Sequence, residues 1–236
     1  MLAQMSHVKD HNNFSLNVYK YITFLSMLYL SCELASLVLS FKIIELKFFF
    51  GAAASLIFPI TYTWNDIITE VYGFKTTKKI IWFVFICDYL FVILIFFAIK
   101  APSPVLNQQE SYNQVLGSLW RSLSSEMLGV LAGAFINSTI ISKWKIITKG
   151  KHFWLRSICS SAIGELIMLF ISVPLALYGA LNFKEITTLI VYAYSYKIIF
   201  AVIISGPANY LANLLKSKEN IDIYDYNVSY NPFKTD

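Results

Sequence analysis

Charge is what this chain has least of. Asp, Glu, Lys and Arg make up only 14% of its 236 residues, where a soluble globular domain carries about 25%. With 57% hydrophobic residues and a mean hydropathy of +0.59, it has more apolar surface than one soluble core can hide. Cysteine is scarce as well. Cys32, Cys87 and Cys159 are odd in number and lie within apolar runs, which excludes a disulfide framework and leaves small packing residues. His7, His11 and His152 all fall outside those runs, so the sequence offers no metal-binding cluster. HExxH, GxSxG and Walker patterns are missing, and no run contains a histidine to act as base for its serines. The expectation is a protein that is not an enzyme and uses no cofactor.

What is present is a series of long apolar segments, each near the roughly 20 residues that a membrane helix needs. They cover 21–40, 48–72, 79–99, 115–142, 153–179 and 186–215. The expected fold class is therefore all-α integral membrane, with six transmembrane helices over 21–215 between a short N-terminal segment (1–20) and a tail (216–236). A polar start, SHVKDHNNFSLN, precedes a first run long enough to span, so no cleaved signal peptide is expected. The loop 100–114 reads as an ordered external loop. The polar and aromatic tail reads as a surface segment packed lightly against loops.

Lysine placement orients the bundle. One set of ends carries Lys9 and Lys20, then Lys75, Lys78 and Lys79, then Lys143, Lys145, Lys149 and Lys151, then Lys216 and Lys218. The opposite loops hold only Lys42, Lys47, Lys100 and Lys184. Both termini are thus expected in the cytoplasm, with the chain in the cell (inner) membrane. The net charge of +5 is a topology signal. Nucleic-acid binding would gather basic residues on one soluble face, and here they are scattered among loops.

Ionisable side chains inside spans cost roughly 2.5–3.5 kcal/mol each at a helix centre and persist where they meet a cavity, a partner or a substrate. The runs contain six acids, Glu33, Asp66, Glu70, Asp88, Glu126 and Glu165, against two bases, Arg121 and Lys197. Arg156 sits near a span end and reads as snorkelling to the interface. Internal pairing neutralises two of the acids. The excess favours a solute offering hydrogen-bond donors or positive charge, or a proton path. In YTWNDIITEVYG, Asp66 and Glu70 are four apart and share a helix face, with Asn65 and Thr69 beside them. Gly73 is placed to close that helix. Trp64 stands next to this cluster, either as a stacking surface for a flat heterocycle or as an interfacial anchor. Serine and glycine stripes at Ser118, Ser122, Ser125, Gly129 and Gly133, and at Ser157, Ser160, Ser161 and Gly164, read first as close-packing seams.

Four segments carry a family resemblance: FPITYTWNDIITEVYG (58–73), RSLSSEMLGVLAGAFINSTIISKWK (121–145), FWLRSICSSAIGE (153–165) and YSYKIIFAVIISGPANYLANLLK (194–216). Together they resemble the queuosine precursor transporter family, which is vitamin-uptake-transporter-like. The string D-x-x-T-E-x-Y-G is the most specific element. One departure is Met168, where family members often have an acid or similar polar group. The resemblance implies import of 7-deazaguanine bases for salvage into queuosine-modified tRNA. It implies a fold like the substrate-binding S component of energy-coupling-factor transporters. Asp66, Glu70, Glu126 and Glu165 are then acceptor candidates, with Asn65, Asn137 and Trp64 as further contacts. Arg121 and Lys197 are donors to a carbonyl, or counter-ions. The alternative is uptake of another small heterocycle or vitamin as the substrate-binding subunit of an energised transporter. The expected partners are a small-molecule substrate and the bilayer. Nucleic acid is not expected, and a homo-oligomer or an energising module stays open.

Overall fold

The computed structural model describes residues 19–234, apart from positions 41, 47–48, 103, 105, 118, 178 and 180–181. Its elements run α1 (Ile22–Leu39), β1 (Ile43–Leu46), β2 (Phe49–Ala52), a 3-10 turn (Ala53–Leu56), α2 (Phe58–Lys100), α3 (Leu106–Leu116), α4 (Leu119–Ile147), α5 (Phe153–Leu177) and α6 (Phe183–Glu219). Five helical stretches among the described residues are long and apolar enough to cross a membrane, Ala53–Lys100 being one of them. The chain is a helical integral membrane protein.

Two expectations need correction here. Residues 49–52, assigned to the second span, form one strand of an antiparallel hairpin with β1 (Ile43 opposite Ala52, Leu46 opposite Phe49). Four successive apolar residues suit a strand as well as a helix, and periodicity alone does not separate the two. The loop after Lys100 contains a helix of its own, α3.

α2 is divided at Gly73, whose φ of 80° and ψ of 166° lie outside the helical region. A Cβ there would stand 2.9 Å from both Asp225 Oδ1 and Ile223 Cγ2, so the turn has space only for glycine. The first arm, residues 58–72, is about 22 Å long at 1.5 Å per residue. From Thr61 to Phe74 it is buried at every position except Trp64. Such all-round burial marks a central helix, and it explains how so many polar residues share one segment without facing lipid.

Around this arm, Ile67, Ile68, Val71 and Tyr72 form a core with Leu25 and Tyr29 of α1, Ile80 and Val84 of the second arm, Ile141 of α4, Phe153 of α5 and Ala208, Ala212 and Leu215 of α6. α4 and α5 pack along the small-residue seams. A Cβ on Gly133 would run into the Tyr62 hydroxyl and the Gly164 carbonyl, and one on Gly164 would approach the Gly133 carbonyl to 2.8 Å. Helix approach this close depends on those residues being small.

Residues 20–21, just before α1, and the C-terminal tail lie at one end of the bundle. Backbone N–H groups of Lys20 and Tyr21 donate to Glu219, which also accepts from Tyr72 Oη at 2.8 Å. We call this the terminal end, and the other, bearing β1 and β2, the hairpin end. The tail is not lightly packed, which corrects the sequence reading. Asp225 is buried, accepting from the backbone N–H of Phe74 at 2.9 Å and from Ser142 Oγ at 2.6 Å. It thereby caps the second arm of α2, where the first N–H groups lack intrahelical partners. Tyr230 packs against Phe74 with the rings tilted by 44°, Trp82 Nε1 donates to the Pro232 carbonyl and Lys78 Nζ to that of Lys234. A polar tail can bury its backbone only where such partners wait for it.

Candidate functional site

Along the first arm, Phe58, Tyr62, Asp66 and Glu70 are four residues apart and form one stripe. They meet three different surroundings between the hairpin end and the terminal end.

At the terminal end, Glu70 is fully enclosed and forms a two-pronged ion pair with Arg156, Oε2 to Nη1 at 2.7 Å and Oε1 to Nη2 at 3.1 Å. Lys216 Nζ adds a second cation 2.5 Å from Oε1. Lys145 Nζ donates to the Glu70 carbonyl at 2.6 Å and the Ile223 carbonyl at 2.7 Å, and pairs with Asp222 at 2.7 Å. Lys216 reaches the same Asp222 oxygen at 2.8 Å. Partial burial pushes the Asp222 carboxyl upward, and the hydrogen bonds from Lys145 and Lys216 outweigh it, holding Asp222 below its ordinary range. Arg156 is 1% exposed. The expectation that it snorkels to the interface is therefore corrected: a buried carboxylate four residues after Asp66 supplies the partner that no neighbour in sequence could reveal.

One turn further in lies Asp66, also without exposure. Asn137 Nδ2 donates to its Oδ1 at 2.5 Å, while Ser157 Oγ and Ser161 Oγ (3.1 Å) donate to Oδ2. Beside it Asn65 Nδ2 donates to Ser138 Oγ at 2.9 Å, tying the arm to α4. The serines read as seam residues thus also bond to the acid. Glu165, buried on α5, and Tyr62 Oη come next, and each has a buried oxygen without a hydrogen-bond partner among the described residues.

Toward the hairpin end the stripe reaches a cavity of about 920 Å3, including its mouth. Glu33 and Ser36 of α1, Asp88 of the second arm, Glu126 of α4 and Lys197 of α6 line it, among apolar walls that include Phe58, Phe85 and Met168. Glu33, Asp88 and Lys197 are buried. Glu33, Glu126 and Glu165 all act electrostatically on Lys197, whose Nζ lies 4.1 Å over the ring of Phe58. That is cation–π distance. Asp88 Oδ1 has no partner among the described residues.

Of the residues singled out from sequence, Glu126 and Lys197 therefore line the cavity. Asp66, Asn65 and Asn137 form the buried layer behind it, with Glu165 between. Glu70 belongs to the terminal-end ion network. Trp64 packs half-buried against the apolar core. Arg121 is in α4, and its side chain lies outside the described residues. Glu33 and Asp88 were visible in the sequence as costly in-span acids, yet nothing in their own segments marked them as sharing one cavity.

Apolar helices around an internal cavity with apolar walls and a few charged side chains define an integral membrane protein with room for a small solute. Residues 52–212 match the profile of the family described as Putative vitamin uptake transporter. The chain belongs to that family, and is a membrane transporter. It matches no curated protein and no solved structure.

Proposed function

We propose that the chain imports a 7-deazaguanine precursor of queuosine, bound in the cavity at the hairpin end, for salvage into modified tRNA. The observation that carries this reading is the lining itself: several carboxylates, one lysine and two phenyl rings around one cavity. The edge of a deazaguanine bears an N1–H and an exocyclic amine side by side, and a carboxylate accepts both in parallel. Asp88, with a buried free oxygen, and Glu126 are the acceptors. The Lys197 ammonium donates to the ring carbonyl. Phe58 and Phe85 face the flat ring, for which base–aromatic stacking is worth about 1–3 kcal/mol.

In this reading the two arms of α2 cross the bilayer separately, giving six crossings within residues 21–215. The lysine-rich terminal end lies in the cytoplasm of a cell whose inner membrane holds the chain. The cavity then opens outward, while the Glu70–Arg156–Lys216 network and the tail close the inner side. Alternating access needs such an asymmetry.

The family description favours a second reading, uptake of a vitamin through the same cavity with an energising partner. Expression in a strain unable to make queuosine and lacking its own importer separates the two. Supplied with 7-deazaguanine precursors, that strain regains modified tRNA if the first reading holds. Good membrane expression with no modification from any precursor overturns it.

A further inference from the structure

The tail does more than cover the terminal end. Residues 221–234 turn back over the bundle after Asn220, whose φ of 54° closes α6 in the left-handed conformation. Among the described residues this segment forms no helix or strand. Side-chain hydrogen bonds to remote parts of the bundle hold it, while Tyr226 and Phe233 stay exposed along it. Such a strap can leave its place without any helix melting.

What it grips is the break in α2. A hinge is a short stretch whose φ and ψ absorb a large change of direction, and Gly73 has the non-helical φ and ψ that divide the two arms. After the glycine, Asp225 accepts from the backbone N–H of Phe74. Before it, Lys145 Nζ ties the Glu70 carbonyl to the Ile223 carbonyl and to Asp222. Over the glycine itself, Asp225 and Ile223 fill the space that a Cβ would need. The backbone is thus pinned on both sides of Gly73, and the arms keep their angle while these contacts stand.

A second observation joins the strap to the ion network. With the tail in place, Glu70 and Asp222 face Arg156, Lys145 and Lys216. Lifting the tail withdraws Asp222 and leaves three cations around one carboxylate. Like charges repel strongly where water screens them little, so release of the strap loosens the contacts at the end of the first arm. It also uncaps the Phe74 N–H at the start of the second arm, where no intrahelical partner waits.

We infer that residues 221–234 are a latch on the Gly73 hinge, and that their release and the swing of the first α2 arm form one event, the opening of the terminal end in the transport cycle. The same arm carries Phe58 into the cavity lining, so its swing reaches the cavity. The inference rests on the chain being a transporter and not on the identity of its substrate.

The test is hydrogen–deuterium exchange, read by mass spectrometry, on the purified full chain in lipid nanodiscs. Segments that open together exchange as one unit, at a rate separate from global unfolding. In the wild type, amides at 71–77 and 222–228 are expected to exchange through one shared opening, roughly tenfold faster than the α4–α5 seam at 130–141 and 157–168. Asp225→Asn should speed both segments by the same factor and leave the seam unchanged. Ser142→Ala removes a donor to Asp225 and should act in the same way by a smaller factor. Should Asp225→Asn fail to fold, Ser142→Ala and the wild-type comparison carry the test. Faster exchange of the tail alone, with 71–77 unchanged, overturns the latch. So does a wild-type tail that exchanges no faster than the seam, because the strap then leaves only on global unfolding. Equal acceleration of the seam assigns the tail a purely structural role and overturns it too. No transport substrate enters the assay, so its failure is distinct from failure of the queuosine reading.

Discussion

At the terminal end, Glu70 divides its carboxylate between Arg156 and Lys216, and Lys145 spans from the Glu70 carbonyl to Asp222 on the tail. At the cavity, Glu33, Asp88 and Glu126 face one another with Lys197 as the only base among the described residues of the lining, and Asp88 has an oxygen without a partner among the described residues. Both regions bury charge within the same bundle, and the first α2 arm runs from one to the other. The difference lies in compensation. A buried ion pair whose members are matched holds helices in register, and removing one member costs far more than the pair contributes. In the proposed reading, acids left unmatched around a cavity are the contacts of the substrate. Counting buried charge says little about function here, and counting its partners says a great deal.

Substitutions at the two ends should therefore separate stability from transport. Arg156→Ala leaves Glu70 with half its compensation and should have the largest structural effect, a loss of about 3–5 kcal/mol. Thermal unfolding in detergent checks this, and a Tm within a degree of wild type would erase the distinction. Asp88→Asn and Glu126→Gln should do the opposite. Asp88→Asn removes a buried charge with an unpartnered oxygen and Glu126→Gln a half-buried one, so Tm should hold or rise while precursor uptake falls at least tenfold, measured as tRNA modification in the importer-deficient strain. Gly73→Ala lies on the structural side. It forces a Cβ against Asp225 and Ile223 at a positive φ and should cost about 1–3 kcal/mol, read from the melting temperature with uptake measured in parallel. The smallest effect belongs to Asp222, which is 42% exposed. Its carboxyl titrates below its ordinary value of 3.8 in the folded chain, so its contribution is complete above that value and lost as pH falls through the lower folded one. Asp222→Asn should lower Tm slightly at pH 7, where that contribution is complete, and converge with wild type at the acid end of a Tm-against-pH curve.

Much of this was legible in the residues. Runs of apolar sequence gave the helices, because lipid tolerates no other way of satisfying the backbone there. Gly73 read correctly as the end of its helix, and Gly129, Gly133 and Gly164 as seam residues of α4 and α5, while Ser118 and the Ser122 side chain lie outside the described residues. The Phe49–Ala52 strand escaped, since its four apolar residues look alike in either conformation. So did the tail, because its burial rests on Phe74 N–H, Ser142 and Trp82, partners remote in sequence. At the site, sequence cost flagged every costly acid but could not group them. Asp66 and Glu70, adjacent on one face, proved to have unlike partners, while Glu33, Asp88 and Glu126, from three helices, proved to share a cavity. Pairing is a property of the packed helices, and spacing along one of them does not contain it.

The central claim is that unmatched cavity acids bind the substrate and matched terminal-end charges do not. Its most direct test is a titration of purified wild type, Asp88→Asn and Asp222→Asn with a 7-deazaguanine base bearing an aminomethyl group, followed by calorimetry. Saturable binding to wild type and to Asp222→Asn, weakened at least tenfold in Asp88→Asn at unchanged melting temperature, is the predicted result. Equal affinity of Asp88→Asn and wild type would contradict it.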